Sequence, residues 1–349
     1  MEANKHLTPV FIIYCDGRRL DLEHEGALHS ITINDCLNGT GRFSIVFDAA
    51  PAKIQEKGHI ALGSELSIWL GYKDDAQEVF SGNVLGFRGI FQEAGLEQLE
   101  VSGCNALHKL NHASRFRSFE NKRPSEAIKG LIEAYSLKAE AQDFGSAKPF
   151  QSQENLTDYG YLMRQASAYG KQVYADGRTI YVGDEITVRK DEVIYEWGKS
   201  LVSFDARNDI SGLISGADYI GWDHQKNESF AGKAELKDLP VKIGGDKDWL
   251  KSGGAGGGNF TDTRVKLSSK DSGEAEQLAV GLLQNNSYKF GYAHGKGEGN
   301  YKLRPGMRVM VKMVGESFEG EYIAQSVIHR FDRRIGYATE FTLKRNMCS

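Results

Sequence analysis

The sequence predicts a β-rich α+β fold, in which two related small β-barrel modules carry an α/β insert between them and a further insertion splits the second barrel. Three observations predict this class. A strand pattern near the N-terminus recurs near the C-terminus, and helical periodicity is confined to the middle of the chain. Glycine is abundant, with 40 residues, and proline is scarce, with 6, a balance typical of chains rich in hairpins and bulges.

The recurring pattern is the main evidence for two related modules. Each copy has a glycine turn, an alternating strand, a Phe-x-Gly motif with a second strand, a loop and a third strand. The copies cover Leu62–Ile68, Phe80–Val84 and Leu96–Val101, then Leu303–Val311, Phe318–Tyr322 and Ala338–Leu343. A pattern present only twice indicates duplication of one module and not a solenoid. We expect the motif positions to be equivalent in two superposable barrels: Gly63, Phe80 and Gly82, and Gly306, Phe318 and Gly320.

Residues 1–114 are predicted to form the first, tube-like barrel. Val10–Tyr14 has strand character, and Asp16-Gly17 is a strong hairpin signal directly after it. Asn38-Gly39 separates two further alternating segments. About six strands joined by short turns are typical of a small barrel or sandwich.

Residues 115–190 are predicted to form the α/β insert. Pro124 suits the first turn of a helix whose apolar residues share one face. A second helix is predicted over Thr157–Tyr169, with Thr157 as its N-cap and Gly170 as its C-terminal stop. Asp176-Gly177 then predicts a hairpin.

The second barrel is predicted to comprise residues 191–225 and 296–349, separated by an insertion over 226–295. The insertion contains one amphipathic helix, Ser272–Asn286, and a Gly-rich stretch, 253–258. That stretch lacks the spacing of a phosphate-binding loop, so it is interpreted as a flexible linker.

Composition excludes several classes of function. The formal net charge is -4, which gives no electrostatic basis for binding nucleic acid or an anionic membrane. Met1–Pro9 has no apolar signal core, and no apolar run reaches the length of a membrane span. Reduced thiols are expected because the chain has few cysteines and no C-x-x-C pair; they are Cys15, Cys36, Cys104 and Cys348.

The search for catalytic and metal-binding residues predicts no enzyme, cofactor or metal site. Cys104, His108 and His112 are spaced four apart, but no fourth ligand is evident and a turn at a domain junction is the preferred interpretation. His24 and His29 are isolated. Several carboxylates occur in turns and at helix starts, where local effects favour acids: Asp143, Glu154, Asp158, Asp176, Asp184 and Glu185. No pair of them stands out as a glycosidase acid and its partner.

The C-terminal segment resembles the end of the phage late control protein D family. The resemblance lies in Leu303–Val309, Phe318–Ala324, Val327–His329 and Tyr337–Arg345. This family contains the central baseplate hub of contractile phage tails, and it is similar to the N-terminal half of the VgrG spike of type VI secretion. The order of predicted elements also matches over most of the chain.

The resemblance implies a homotrimer in which two barrels per subunit give six around a ring. Such a ring would join a sixfold inner tube protein to a threefold spike protein among other baseplate proteins. It implies synthesis in the bacterial cytoplasm, followed by incorporation into a tail baseplate or extracellular injection particle. VgrG proteins continue into an OB-fold and a needle, whereas this sequence ends at Ser349; we therefore expect a separate spike.

Two alternatives to a structural hub stay open. The first is a tail-associated protein that binds or degrades cell-wall peptidoglycan through the 115–190 insert. The second is a tube-like carrier of a secreted effector.

Overall fold

Among the residues that it describes, the computed structural model of the chain contains one 13-stranded sheet, one two-stranded sheet and two three-stranded sheets. Within the parts it describes, no helix is long and apolar enough to span a membrane. The predicted Gly-rich linker 253–258 and His24 lie outside the described residues. The structure describes residues 8–21, 26–51, 54, 60–73, 75–93, 97–186, 192–223, 226–245, 249, 260–266, 269 and 271–348.

The first β-module is built from seven strands that surround one hydrophobic core. They are β1 (Pro9–Cys15), β2 (Arg18–Arg19), β3 (Leu28–Cys36), β4 (Arg42–Phe47), β5 (Glu65–Tyr72), β6 (Asp75–Phe91) and β7 (Glu97–Cys104). Their order in the sheet is β3-β4-β7-β6-β5-β1-β2. The predicted turn at Asp16-Gly17 joins β1 to β2, with positive φ at both residues. Because every long strand contributes to one core, the sheet wraps around it; the contributors include Ile13, Ile33, Ile45, Ile68, Val84 and Val101.

The α/β insert follows and has its own core. After a 3-10 helix (Ala106–Asn111) come β8 (Ser114–Lys122), α1 (Pro124–Glu133), β9 (Lys138–Ala141), β10 (Lys148–Thr157), α2 (Asp158–Ala168), β11 (Gln172–Asp176) and β12 (Thr179–Gly183). Thr157 caps α2 by accepting a hydrogen bond from the Gly160 amide at 3.0 Å. The predicted helix over Thr157–Tyr169 and the predicted hairpin at Asp176-Gly177 are both confirmed.

The next segment begins with two strands of the main sheet, β13 and β14, and then leaves it. Its elements are β13 (Val193–Glu196), β14 (Leu201–Asn208), β15 (Gly216–Asp223), β16 (Glu228–Glu235), β17 (Thr261–Val265) and α3 (Ser272–Ser287). β15 pairs with β16 and β17 in a separate sheet packed on α3. The predicted boundary at residue 225 was therefore wrong for β15, because its hydrogen bonds join it to the insertion and not to the second barrel. The predicted helix over Ser272–Asn286 is confirmed by α3.

The second β-module is completed by β18 (Gly291–Glu298), β19 (Arg308–Lys312), β20 (Gly320–Asp332) and β21 (Gly336–Arg345). β18 pairs with β14 and β21, so residues 291–295 belong to this module. The prediction that placed them in the insertion 226–295 was wrong. All six of its strands contribute to one core, through Tyr195, Leu201, Ala293, Val309, Val327 and Phe341 among others. The β-rich α+β fold class is thus confirmed.

The two modules are joined edge to edge. The C-terminal half of β20 pairs antiparallel with β3, with His329 opposite Ile33 and Phe331 opposite Ile31. Phe331 enters the core of the first module, where its ring meets Phe11 at a centroid distance of 5.1 Å. This junction makes one continuous sheet from two modules.

Candidate functional site

The glycine turns of the two copies have the same backbone hydrogen bonds. The Gly63 amide donates to Val84 O at 2.8 Å, and the Val84 amide donates back to Ser64 O at 2.9 Å. Gly306 and Met307 make the same two bonds with Ala324, at 2.8 and 2.9 Å. Both glycines have positive φ, +92° and +87°, a conformation that L side chains rarely adopt.

The bulges of the two modules also coincide. The β6–β7 register shifts between Val84 and Gly86, and the β20–β21 register shifts between Ala324 and Ser326. The β3–β4 register shifts between Leu28 and Ser30, and the β14–β18 register shifts at Leu201 and Ser203. β3, β4, β5, β6 and β7 therefore correspond to β14, β18, β19, β20 and β21. The exception is the outer strand, since β1 runs antiparallel to β5 whereas β13 runs parallel to β19.

The expected equivalence of the two Phe-x-Gly motifs was wrong. Phe80 lies opposite Ile68, but the corresponding pair in the second module is Gly320 opposite Val311. Gly82, opposite Leu66, likewise corresponds to Tyr322, opposite Val309, so the motifs are displaced by two positions. A displacement by two keeps every side chain on the same face, which is why alternation alone could not detect it. Phe318 lies in the turn before β20.

The equivalent glycines give a matched pair of substitutions. A Cβ at Gly306 would lie 2.8 Å from the backbone oxygen of Ile186, whereas a Cβ at Gly63 meets nothing within 4 Å. We expect Gly63→Ala to cost about 1 kcal/mol of unfolding free energy from backbone strain alone, and Gly306→Ala about 3 kcal/mol. Urea unfolding of both variants measures the difference; equal losses would contradict the close approach at Gly306.

A buried polar cluster lies where the two modules meet the insert. The Tyr174 hydroxyl of β11 donates to Asp35 of β3 at 2.6 Å, and both residues are buried. Burial raises the pKa of Asp35 to about 6, although Tyr174 and the nearby Arg304 favour its ionised form. His329 of β20 is also buried, and burial together with Arg304 lowers its pKa to about 3. The sequence contained no signal for this cluster, because its members are far apart along the chain.

The cysteine and histidine spacing does not form a metal site. Residues 106–111 form a 3-10 helix, so a spacing of four does not place side chains on one face. His108 Nδ1 donates to the Asn105 carbonyl at 2.8 Å, and the His108 and His112 rings meet edge to face. Among the described residues, no group of three or more His, Cys, Asp or Glu is arranged to hold a metal ion. His29 lies 3.0 Å from Asp48.

The candidate carboxylates occupy structural positions. Asp143, Asp184 and Glu185 pair with Lys129, Lys171 and Arg308 at 3.0, 2.7 and 2.6 Å. Buried Asp158 accepts hydrogen bonds from Tyr135 and Gln153, at 2.7 and 2.8 Å, and Glu154 accepts from Ser152. Asp176 ends β11. These contacts account for five of the six acids as helix, strand or loop anchors.

A cavity of about 480 Å³ lies between β10 and α2 of the insert, and Lys266, directly after β17, also lines it. Its charged lining residues are Lys148, Arg164, Lys266 and one acid, Glu154, so it is called the cationic cavity. Lys148 pairs with the buried Glu274 at 2.6 Å. Burial and the neighbouring cations lower the pKa of Lys266. The excess of cations in its lining suits an anionic group.

The sequence matches the model of a protein family. The family profile of the Alg8 N-terminal domain matches residues 6–332. No curated protein matches the sequence.

Solved structures match nearly the whole chain. A tail protein from Neisseria meningitidis MC58 has 15% identity and a TM-score of 0.67, with 97% of each chain covered. The 43 kDa tail protein of prophage MuSo2 from Shewanella oneidensis has 14% identity and a TM-score of 0.68, covering 97% of this chain and 99% of that one. A type VI secretion component of E. coli has 11% identity and a TM-score of 0.57, covering 91% and 73%. The chain therefore has a tail-protein fold.

Proposed function

This chain belongs to the family of the Alg8 N-terminal domain, and we propose that it is the structural baseplate hub of a contractile tail-like injection machine. The observation that carries the proposal is the duplicated hydrogen-bond pattern, in which Gly63 and Gly306 hold the same bonds in two modules of one chain. Because each chain has two equivalent modules, three assembled copies would present six modules to a neighbour with sixfold symmetry. The tail-protein fold over 97% of the chain supports the same role.

The proposed assembly is a homotrimer with quasi-sixfold symmetry. Six modules would face a hexameric inner tube protein on one side, while the three inserts would leave a threefold arrangement for the spike protein and other baseplate proteins. A ring of this kind requires contacts between two different surfaces of each subunit. The machine would be a phage tail, a tailocin or an extracellular injection particle, with the hub made in the bacterial cytoplasm and then incorporated.

The test of the hub is oligomeric mass and binding to neighbours. Light scattering of the purified chain, alone and mixed with the tube and spike proteins of its own gene neighbourhood, should give three copies per complex. The complex should retain both neighbours in pull-down. A chain that stays monomeric and binds neither neighbour would refute the proposal.

The cationic cavity supports a second candidate function, binding of an anionic cell-wall glycan by the insert. Peptidoglycan zymography and calorimetry with muramic-acid fragments test it, using Arg164→Ala to remove one cavity cation. Binding lost in this variant, or a clearing zone in the gel, would favour the cell-wall alternative. Neither signal is expected of a purely structural hub.

A further inference from the structure

Among the strand edges that stay unpaired within the described residues, two lie on β6 and β14. β6 uses its first half to pair with β5 and its second half to pair with β7. The outer edge of that second half, residues 86–91, has no strand partner among the described residues. At the other end of the sheet, β14 pairs with β18 and has no other strand partner among the described residues; Leu201 makes one isolated bridge to Trp197. Exposed edges of this length are templates for pairing with another chain.

These two edges correspond to a junction that is already filled inside the chain. β6 corresponds to β20, and β14 corresponds to β3, by the turn bonds and bulges described above. β20 and β3 pair with each other through the same two edges. Each chain therefore contains one complete junction and the two halves of a second.

We propose that β6 of one copy pairs antiparallel with β14 of the next copy, closing the ring. The proposal rests on the proposed trimeric hub and names the surface that would build it. The internal junction fixes the register, because Phe331 lies opposite Ile31 there. Phe91 corresponds to Phe331 and Phe204 to Ile31, so Phe91 would lie opposite Phe204. By the same correspondence, the pair of His329 and Ile33 predicts that Gly89 would lie opposite Ala206. Three such junctions alternate with the three internal ones.

The apolar side chains of the two edges fit this register. Phe91 is 69% exposed, whereas its counterpart Phe331 is 5% exposed in the filled junction. Phe204, the proposed neighbour of Phe91, is half-buried against the core of the second module. Pairing would therefore take the exposed Phe91 ring out of water, as the internal junction does for Phe331.

The charges on the opposite face are compatible with the same register. Arg88 lies opposite Arg207, but Asp205 and Asp209 are its diagonal neighbours across the junction. Glu100, opposite Arg88 on β7, already lies 3.5 Å from its guanidinium. The three acids compensate the two arginines within reach of cross-strand contacts.

Cysteine trapping tests the register in the full chain. Residues directly opposite in an antiparallel pair have Cα atoms about 4.5–5.5 Å apart, which suits a disulfide. Phe91→Cys with Phe204→Cys should therefore give a covalent trimer on a non-reducing gel. The control pair Phe91→Cys with Asp205→Cys places the thiols on opposite faces and should stay uncrosslinked, as should the unsubstituted chain.

A charge substitution tests the same edge without new thiols. Phe91→Asp should weaken trimerisation at least tenfold in dissociation constant while leaving the thermal midpoint of the monomer unchanged, because Phe91 is exposed. Phe116→Asp is the matched control, since Phe116 is 74% exposed on the insert and should leave the trimer intact.

The outcomes separate this inference from the hub itself. A trimer that survives Phe91→Asp and gives no 91–204 crosslink overturns the edge pairing and leaves the hub standing. An unsubstituted chain that forms no trimer, even with tube and spike proteins present, overturns both. A crosslinked trimer with a silent control pair supports both.

Discussion

Replacing Gly281 with alanine is expected to destabilise the protein by about 2 kcal/mol, although alanine is the better helix former. Gly281 lies in α3, where a Cβ would be 2.6 Å from the Ala168 oxygen and 2.7 Å from the Gly170 amide nitrogen. Both are backbone atoms at the end of α2, and Gly170 holds a positive φ of +69° there. The insert and α3 would have to separate. Urea unfolding measures the loss.

Gly130→Ala is the matched control for Gly281→Ala. Gly130 lies in α1 with nothing within 4 Å of its added Cβ. At this position only helix propensity changes, so the unfolding free energy is expected to rise by about 0.5–1 kcal/mol. If both substitutions stabilise the chain, the close contact between α2 and α3 is not a constraint on the fold.

Acid is expected to destabilise the fold through His329, by about 2 kcal/mol between pH 7 and pH 5. The pKa of His329 falls from 6.5 to about 3 on folding, so the unfolded chain binds the extra proton as the pH drops below 6.5. Its contribution is complete above pH 6.5 and is lost progressively towards pH 3. Arg304 and Tyr337 are its neighbours in the junction.

Asp35 acts in the opposite direction over part of the same range. Its pKa rises from 3.8 to about 6 on folding, so the folded state takes up a proton first as the pH falls through 6. Protonation of Asp35 therefore adds about 1 kcal/mol of stability between pH 6 and pH 5. The two buried groups partly cancel in the wild-type chain.

Variants separate the two effects by the slope of stability against pH. His329→Gln should remove the acid loss, so that stability rises between pH 6 and pH 5. Asp35→Asn should make the loss steeper than in the wild type. Slopes in both variants that parallel the wild-type slope would mean that the buried cluster does not titrate on unfolding.

Local elements could be predicted because their signals are local. Thr157 before an apolar helical pattern and Gly170 after it bounded α2, and apolar periodicity located α3. Asp16-Gly17 and Asp176-Gly177 located two hairpins, because few residue pairs tolerate their backbone angles. The glycine turns at Gly63 and Gly306 likewise revealed the duplication.

The sequence by itself determined that the chain has two related β-modules, an α/β insert and the turns that start each repeat. Only the tertiary structure decided the strand register, which displaced the two Phe-x-Gly motifs and moved β15 into the insertion. Only the tertiary structure brought Tyr174 to Asp35 and placed Arg304 near both Asp35 and His329. The reason is physical: a shift by two residues preserves the alternation of faces. Pairing between strands distant in the chain is decided by hydrogen bonds and packing across the sheet, and those contacts leave the edges of β6 and β14 open.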